Sequence, residues 1–111
     1  QMPTFKLIKK LKLTKEGFPI IPLKGITQIL LFKNYNRSDL WLRNEAQKII
    51  KINNLEKSLA VVIDFIEKEN NFFKIKPYVY FKKGLRYEMV RETACGSATT
   101  AIGIFLSNSN Q

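Results

Sequence analysis

Hydrophobic and polar positions alternate from the start of the chain. Phe5, Leu7, Lys9, Leu11 and Leu13 share one side of an extended segment, and Lys6, Ile8, Lys10 and Lys12 share the other. That period predicts a strand over residues 5–13 with one wet face. Pro19 and Pro22 punctuate residues 18–23. Proline cannot donate to a ladder, so this stretch is expected as an edge or irregular extended piece. Residues 26–33 are a buried-strand candidate, and residues 34–37 a polar turn. The period then changes. Ser38 or Asp39 is placed to cap a helix running to about Ile52. Leu42, Ala46, Ile49 and Ile50 recur at i, i+4, i+7 and i+8, which is one buried helical face. Trp41 is assigned to this core rather than to an interface. Asn53-Asn54 ends the helix.

Extended patterns return after the helix. Residues 59–66 read as a strand, 67–71 as a polar turn and 72–81 as the second arm of a hairpin. Lys82-Lys83-Gly84 makes the next turn, and residues 85–90 form a short strand. Tyr78, Tyr80 and Tyr87 are read as strand-packing residues. Ala101-Ile102-Gly103-Ile104-Phe105-Leu106 has the composition of a helix body, and the polar tail at 107–111 is expected to fray. Strands mixed with a central helix predict an α+β fold in one domain spanning residues 1–111. No internal repeat or low-complexity tract interrupts it.

Composition narrows the picture. The 111 residues are 45% hydrophobic and 12% aromatic, enough for a core, though small domains are only marginally stable. No run of 18 apolar residues exists, so no helical membrane span is expected. A single cysteine permits no internal disulfide and fits a reducing cytoplasm. With no histidine and one cysteine, no metal site of the His/Cys type is expected. The net charge of +10 is the footprint expected of a nucleic-acid or anionic-membrane binder. The basic residues are mostly lysines spread along the chain, however, with no helix-turn-helix, zinc-finger or stacking-aromatic signature. They are read as a solvated surface rather than a nucleic-acid interface.

The candidate chemistry lies in Arg91-Glu92-Thr93-Ala94-Cys95-Gly96-Ser97-Ala98-Thr99-Thr100, which carries the only cysteine. A thiol at a helix start faces unpaired N–H groups and the positive end of the helix dipole. That setting favours thiolate, and the amides of Gly96, Ser97 and Ala98 would make an anion site. The dipole contributes only about 0.3–2 kcal/mol, too little to ionise the thiol fully at neutral pH. Cys95 therefore suits a group that exists in both forms, donor and acceptor of a proton. The bland alternative is a small buried residue in a turn, since free cysteine is among the most buried residue types. Glu92, on the approach to the helix, is read from the residues alone as a carboxylate that interacts with the helix dipole.

Glu92-x-x-Cys95-Gly96-Ser97-Ala98-Thr99, followed by Ile102-Gly103-Ile104-Phe105, resembles the second catalytic-cysteine segment of the diaminopimelate epimerase-like superfamily. The likeness is closest to the PLP-independent histidine racemases of staphylopine-type metallophore pathways. Their segment reads Glu-x-x-Cys-Gly-Ser-Gly-Thr, so Ala98 stands where they have glycine. Diaminopimelate epimerases place one more residue between Glu-Thr and Ala-Cys. Upstream, Gln1-Met2-Pro3 resembles the opening of the second lobe. Gly25-Ile26-Thr27-Gln28 falls where the family has a Gly-x-x-His segment, with Gln28 replacing the histidine.

The resemblance implies one lobe of a two-lobe fold, a mixed or antiparallel sheet wrapped around a central helix. It implies cofactor-independent racemisation or epimerisation of an amino acid, with histidine or a similar polar amino acid as substrate. One cysteine removes the α-proton as thiolate, and a second supplies a proton to the opposite face as thiol. Cys95 would be one of the pair. Glu92, Gly96, Ser97, Ala98 and Thr99 would bind substrate, with the amides holding its carboxylate. No cofactor and no metal are implied. The partner cysteine belongs to a first lobe, so this chain is expected to be a second-lobe fragment that is inactive alone. A homodimer is left open. Two other functions stay in play: a basic, non-catalytic binding module for nucleic acid, and a degenerate family member, for which Gln28 and Ala98 argue.

Overall fold

The computed structural model describes residues 12–23, 25–33, 35–70, 72–92 and 96–109, with the side chains of 96–98, 108 and 109 excepted. Most of the strand expected at 5–13 lies outside them. The elements run β1 (Lys12–Leu13), β2 (Pro19–Leu23), β3 (Ile26–Phe32), α1 (Asp39–Ile52), β4 (Ala60–Glu69), β5 (Phe72–Lys83), β6 (Arg86–Arg91) and α2 (Gly96–Ser109). The strands form one six-stranded sheet in chain order. Only β3 and β4 are parallel, because α1 carries the chain back to the starting end of the sheet. Every other pair is antiparallel. The fold is α+β with a mixed sheet.

Alternation along the central strands divides the core in two. Ile29, Leu31, Val61, Ile63, Phe65 and Tyr78 face one way and pack with Leu42, Ala46, Ile49 and Ile50 of α1. Leu30 and Ile66 face the other way and pack with Ile21 and with Ala101 and Ile102 of α2. The sheet therefore has a helix on each face. Central strands covered on both sides become near-continuous apolar runs, which is why β4 reads Ala-Val-Val-Ile-Asp-Phe-Ile before it turns polar.

Ser38 caps α1, its Oγ accepting from Trp41 N–H at 3.1 Å. At the other end Asn53 is a hub. Its Nδ2 donates to Ile49 O at 2.8 Å and to Glu16 Oε1 at 2.9 Å, and its Oδ1 accepts from Lys15 N–H at 2.8 Å. The β1–β2 turn is thus fastened to the end of the helix.

Several expectations are corrected. Residues 18–23 are not an irregular piece, since Pro19–Leu23 is the regular strand β2. Pro19 is tolerated because it sits at the first position of the strand, and among the described residues β1 pairs with Pro19 and Ile20, leaving Pro22 outside that ladder. Tyr35, inside the expected polar turn, is buried against Phe65 with ring centroids 4.8 Å apart. Trp41 is not core. It is 37% exposed, 6.4 Å from the Tyr35 ring and beneath the Arg37 guanidinium. Glu67, Lys68 and Glu69 continue β4 rather than turning, and Asn70 takes φ 44°, while Asn71 lies outside the described residues. Lys82 and Lys83 likewise end β5, and Gly84 takes φ 63° in the following turn. Of the tail expected to fray at 107–111, residues 107–109 are helical, and 110 and 111 lie outside the described residues.

The open edge of β6 is partly blocked. Glu92 N–H donates to Pro77 O at 3.0 Å, which marks that pair as hydrogen-bonded. Alternation then points the Met89 carbonyl out of the sheet. Arg43 Nη1 donates to that carbonyl at 2.7 Å, so a side chain of α1 occupies a position where a further strand would pair.

Candidate functional site

Strand β6 delivers the chain to the cysteine segment. Cys95 lies outside the described residues, as do its neighbours Thr93 and Ala94. The next residue, Gly96, begins α2, and Ser97 and Ala98 continue its first turn. Their amides belong to the set that a helix start leaves without intrahelical partners. Glu92 is exposed at the end of β6. Thr99 is exposed one turn into α2, where it lines a groove of about 190 Å³ with Phe73, Ile75 and Ile102. Among the predicted site residues, the described portion thus brings Thr99 to a concavity and sets Glu92 at the strand end that leads toward it.

The residue that sequence reasoning missed is Asp64. It sits in the middle of β4, paired with Leu30 on one side and Pro77 on the other. Glu92, bonded to Pro77 O, lies in the same row across the sheet. At roughly 4.8 Å per strand, the Asp64 and Glu92 backbones are about 10 Å apart. Asp64 is 0% exposed, and neither carboxylate oxygen has a hydrogen-bond partner among the described residues. It points to the α2 side of the sheet, because its neighbours Ile63 and Phe65 point to α1. Burial pushes its carboxyl up to about 7. The signal available in the sequence was a lone acid within an apolar strand run.

Two further features complete this face. Ile75 of the groove pairs with Ile66, so the groove floor is one diagonal step from Asp64. Gln28 is fully buried on β3, opposite Val62 of β4. Gln28 and Asp64 are therefore diagonal neighbours on the same face.

A separate cluster forms at the N-terminus of α1. Tyr78 Oη donates to Asp39 Oδ1 at 2.7 Å, and Arg43 Nε lies 3.6 Å from Asp39 Oδ2. The Tyr78 hydroxyl, aided by Arg43 and Arg91, holds the Asp39 carboxyl below its ordinary range. Burial and the Asp39 bond together raise the Tyr78 hydroxyl to about 12. The Arg37 guanidinium stands 4.9 Å from the Trp41 ring centroid and that of Arg43 5.7 Å from Tyr78. Tyr80 and Tyr87 stack at 5.2 Å across β5 and β6, as packing residues should.

Among the described residues no three His, Cys, Asp or Glu side chains gather as a metal set, and no helix is long and apolar enough to cross a membrane. Comparison of the chain with protein-family models, curated proteins and solved structures gave no match.

Proposed function

We propose that this chain is the second lobe of a cofactor-independent amino-acid racemase or epimerase, with histidine or a similar polar amino acid as substrate. The observation that carries the reading is the start of α2 at Gly96, immediately after Cys95. A sulfur at that position meets the helix dipole, and the amides that follow are suited to hold a carboxylate. In the proposed reaction Cys95 exchanges a proton with the substrate Cα on one face, while a cysteine of the first lobe serves the other. The carboxylate bound at the helix start spreads the negative charge that develops as the α-proton leaves. Glu92, exposed just after β6, is the group that would meet the substrate ammonium in this reading. The six-stranded mixed sheet with α1 against one face accords with a lobe of the diaminopimelate epimerase-like fold.

The test joins this lobe to a cysteine-bearing first lobe and follows exchange of the substrate α-proton for deuterium. Cys95→Ala should abolish racemisation. Full racemisation by that variant would sink the assignment.

One observation favours a second reading. Arg37 stands over the Trp41 ring and Arg43 over that of Tyr78, and Arg43 and Arg91 both act on Asp39. A basic binding module would use such a surface on nucleic acid. Its affinity would fall steeply with added salt, and binding that ignores salt would remove this reading.

A further inference from the structure

The α1 face of the sheet satisfies its buried Tyr78 hydroxyl, whereas the α2 face leaves a carboxylate bare among the described residues. Asp64 is fully enclosed, flanked in register by Leu30 and Pro77 and along its own strand by Val62 and Ile66. No charged side chain of β3, β5 or the described part of α2 is in position to neutralise it. On this face Leu30 and Pro77 flank it directly and Gln28, Phe32, Ile75 and Val79 stand one diagonal step away, with Gln28 the single polar side chain among them. Orphaned buried carboxylates are rare, and a stable fold gains nothing from one. Replacement by valine or leucine would continue the apolar run of β4 without that cost. An acid in such a place calls for a donor that the described residues do not provide.

The groove offers the approach for that donor. It opens between Thr99 and Ile102 of α2 and Phe73 and Ile75 of β5. Its walls are apolar except for Thr99, and its floor is one diagonal step from Asp64. About 190 Å³ admits the side chain of an amino acid rather than a polymer. Resting on the racemase reading, we infer that Asp64 is the specificity residue of the substrate pocket, receiving a cationic N–H of the substrate side chain, imidazolium or guanidinium, that enters through this groove. The carboxylate would exclude purely aliphatic side chains, because binding one would leave the buried acid without a donor. It acts on which amino acid is held, while proton transfer at Cα belongs to the cysteines.

The experiment uses the whole chain with its aspartate side-chain carboxyl carbons labelled with carbon-13. The Asp64 resonance, assigned by its loss in Asp64→Asn, is titrated with pH alone and then in the presence of L-histidine, L-arginine or L-norleucine. All three probes carry the same α-ammonium and α-carboxylate, so only the side chain differs. L-histidine or L-arginine should lower the Asp64 midpoint by about one unit or more, as an opposite charge in contact does. L-norleucine should leave it in place. Asp64→Asn, its fold checked by circular dichroism, should bind the three probes alike. An Asp64 midpoint that none of the probes moves, or that L-norleucine moves equally, overturns the proposal, as does preference for the cationic probes retained by Asp64→Asn. Deuterium exchange in the joined lobes is read separately. Exchange without the midpoint shift defeats the role of Asp64 alone, and the shift without exchange defeats racemisation alone.

Discussion

Replacing Asp64 with asparagine should make the fold more stable at neutral and alkaline pH. The acid is neutral in the folded chain up to about pH 7, against an ordinary value of 3.8. The unfolded chain gives up this proton near the ordinary value. Between those limits the folded state holds a proton that the unfolded state has lost, so stability falls as pH rises through the window. Below it both states are protonated, and above it both are ionised, so the Asp64 contribution is flat on either side. About three units at 1.36 kcal/mol each gives a total of about 4 kcal/mol, an upper bound, since any water reaching the carboxylate reduces it. Against a typical total of 5–15 kcal/mol this is a large fraction. The asparagine side chain does not titrate, and it fits the same space. Urea unfolding of both proteins at a series of pH values from about 4 to 8 isolates the effect, because every other group cancels in the difference. The two should be nearly equal at the acid end. The variant should then gain on the parent until the midpoints differ by about 1–4 M urea. A difference that stays flat with pH, or that turns against the variant as pH rises, would refute the claim that Asp64 is enclosed without a partner.

Other substitutions probe the opposite face and the edges. Ile63→Ala, in the middle of the α1-facing core, should cost about 2–5 kcal/mol by chemical denaturation. Ser38→Ala should cost about 1 kcal/mol by removing the bond to Trp41 N–H, with glycine at that position costing less. Tyr78→Phe removes the leading cause of the low Asp39 carboxyl. Asp39 stabilises the fold above its ordinary value and loses that contribution as pH falls. Acid unfolding of Tyr78→Phe should therefore depend less steeply on pH than in the parent, an outcome read by circular dichroism. Arg43→Ala uncovers the Met89 carbonyl on the β6 edge, and sedimentation velocity should show increased self-association.

The parts of the fold legible in the sequence were those governed by a single period. Leu42, Ala46, Ile49 and Ile50 are buried as their spacing required, because α1 packs on one sheet face and a helical stripe records one face. Ser38 as cap and the α2 start after Cys95 were equally local. The misreadings arose where tertiary contacts override local chemistry. Tyr35 lies between polar neighbours, yet the Phe65 ring draws it into the core. Trp41 is large and apolar, yet its helical position sends it outward, where Arg37 covers one side. The charged ends of β4 and β5 resemble turns, but backbone pairing holds Glu67, Lys68, Lys82 and Lys83 in the ladder regardless of their side chains. Asp64 was invisible as a site because burial of a charge has no sequence period. It becomes legible only when β3 and β5 are laid beside it.

The two faces of the sheet separate stability from chemistry. Against α1, a large aliphatic and aromatic cluster is closed by paired polar groups, Tyr78 with Asp39 and Arg43 with Met89 O. That face contains what a small domain needs to stay folded. Against α2, the cluster is smaller, a groove opens beside Thr99, and Gln28 and Asp64 are enclosed within apolar surroundings. A buried acid placed where it weakens the fold, as Asp64 is, is the expected mark of a site that must bind something else. The cysteine segment leads into the helix that covers this second face, and Glu92 lies in the row that contains Asp64. A division of this kind makes a double comparison possible. Substitutions on the α1 face should move stability and leave ligand selectivity intact. Asp64→Asn should do the reverse, raising stability at neutral pH while erasing the preference for a cationic side chain. Loss of selectivity from Ile63→Ala at a temperature where that variant is fully folded would show that the two faces are not separable.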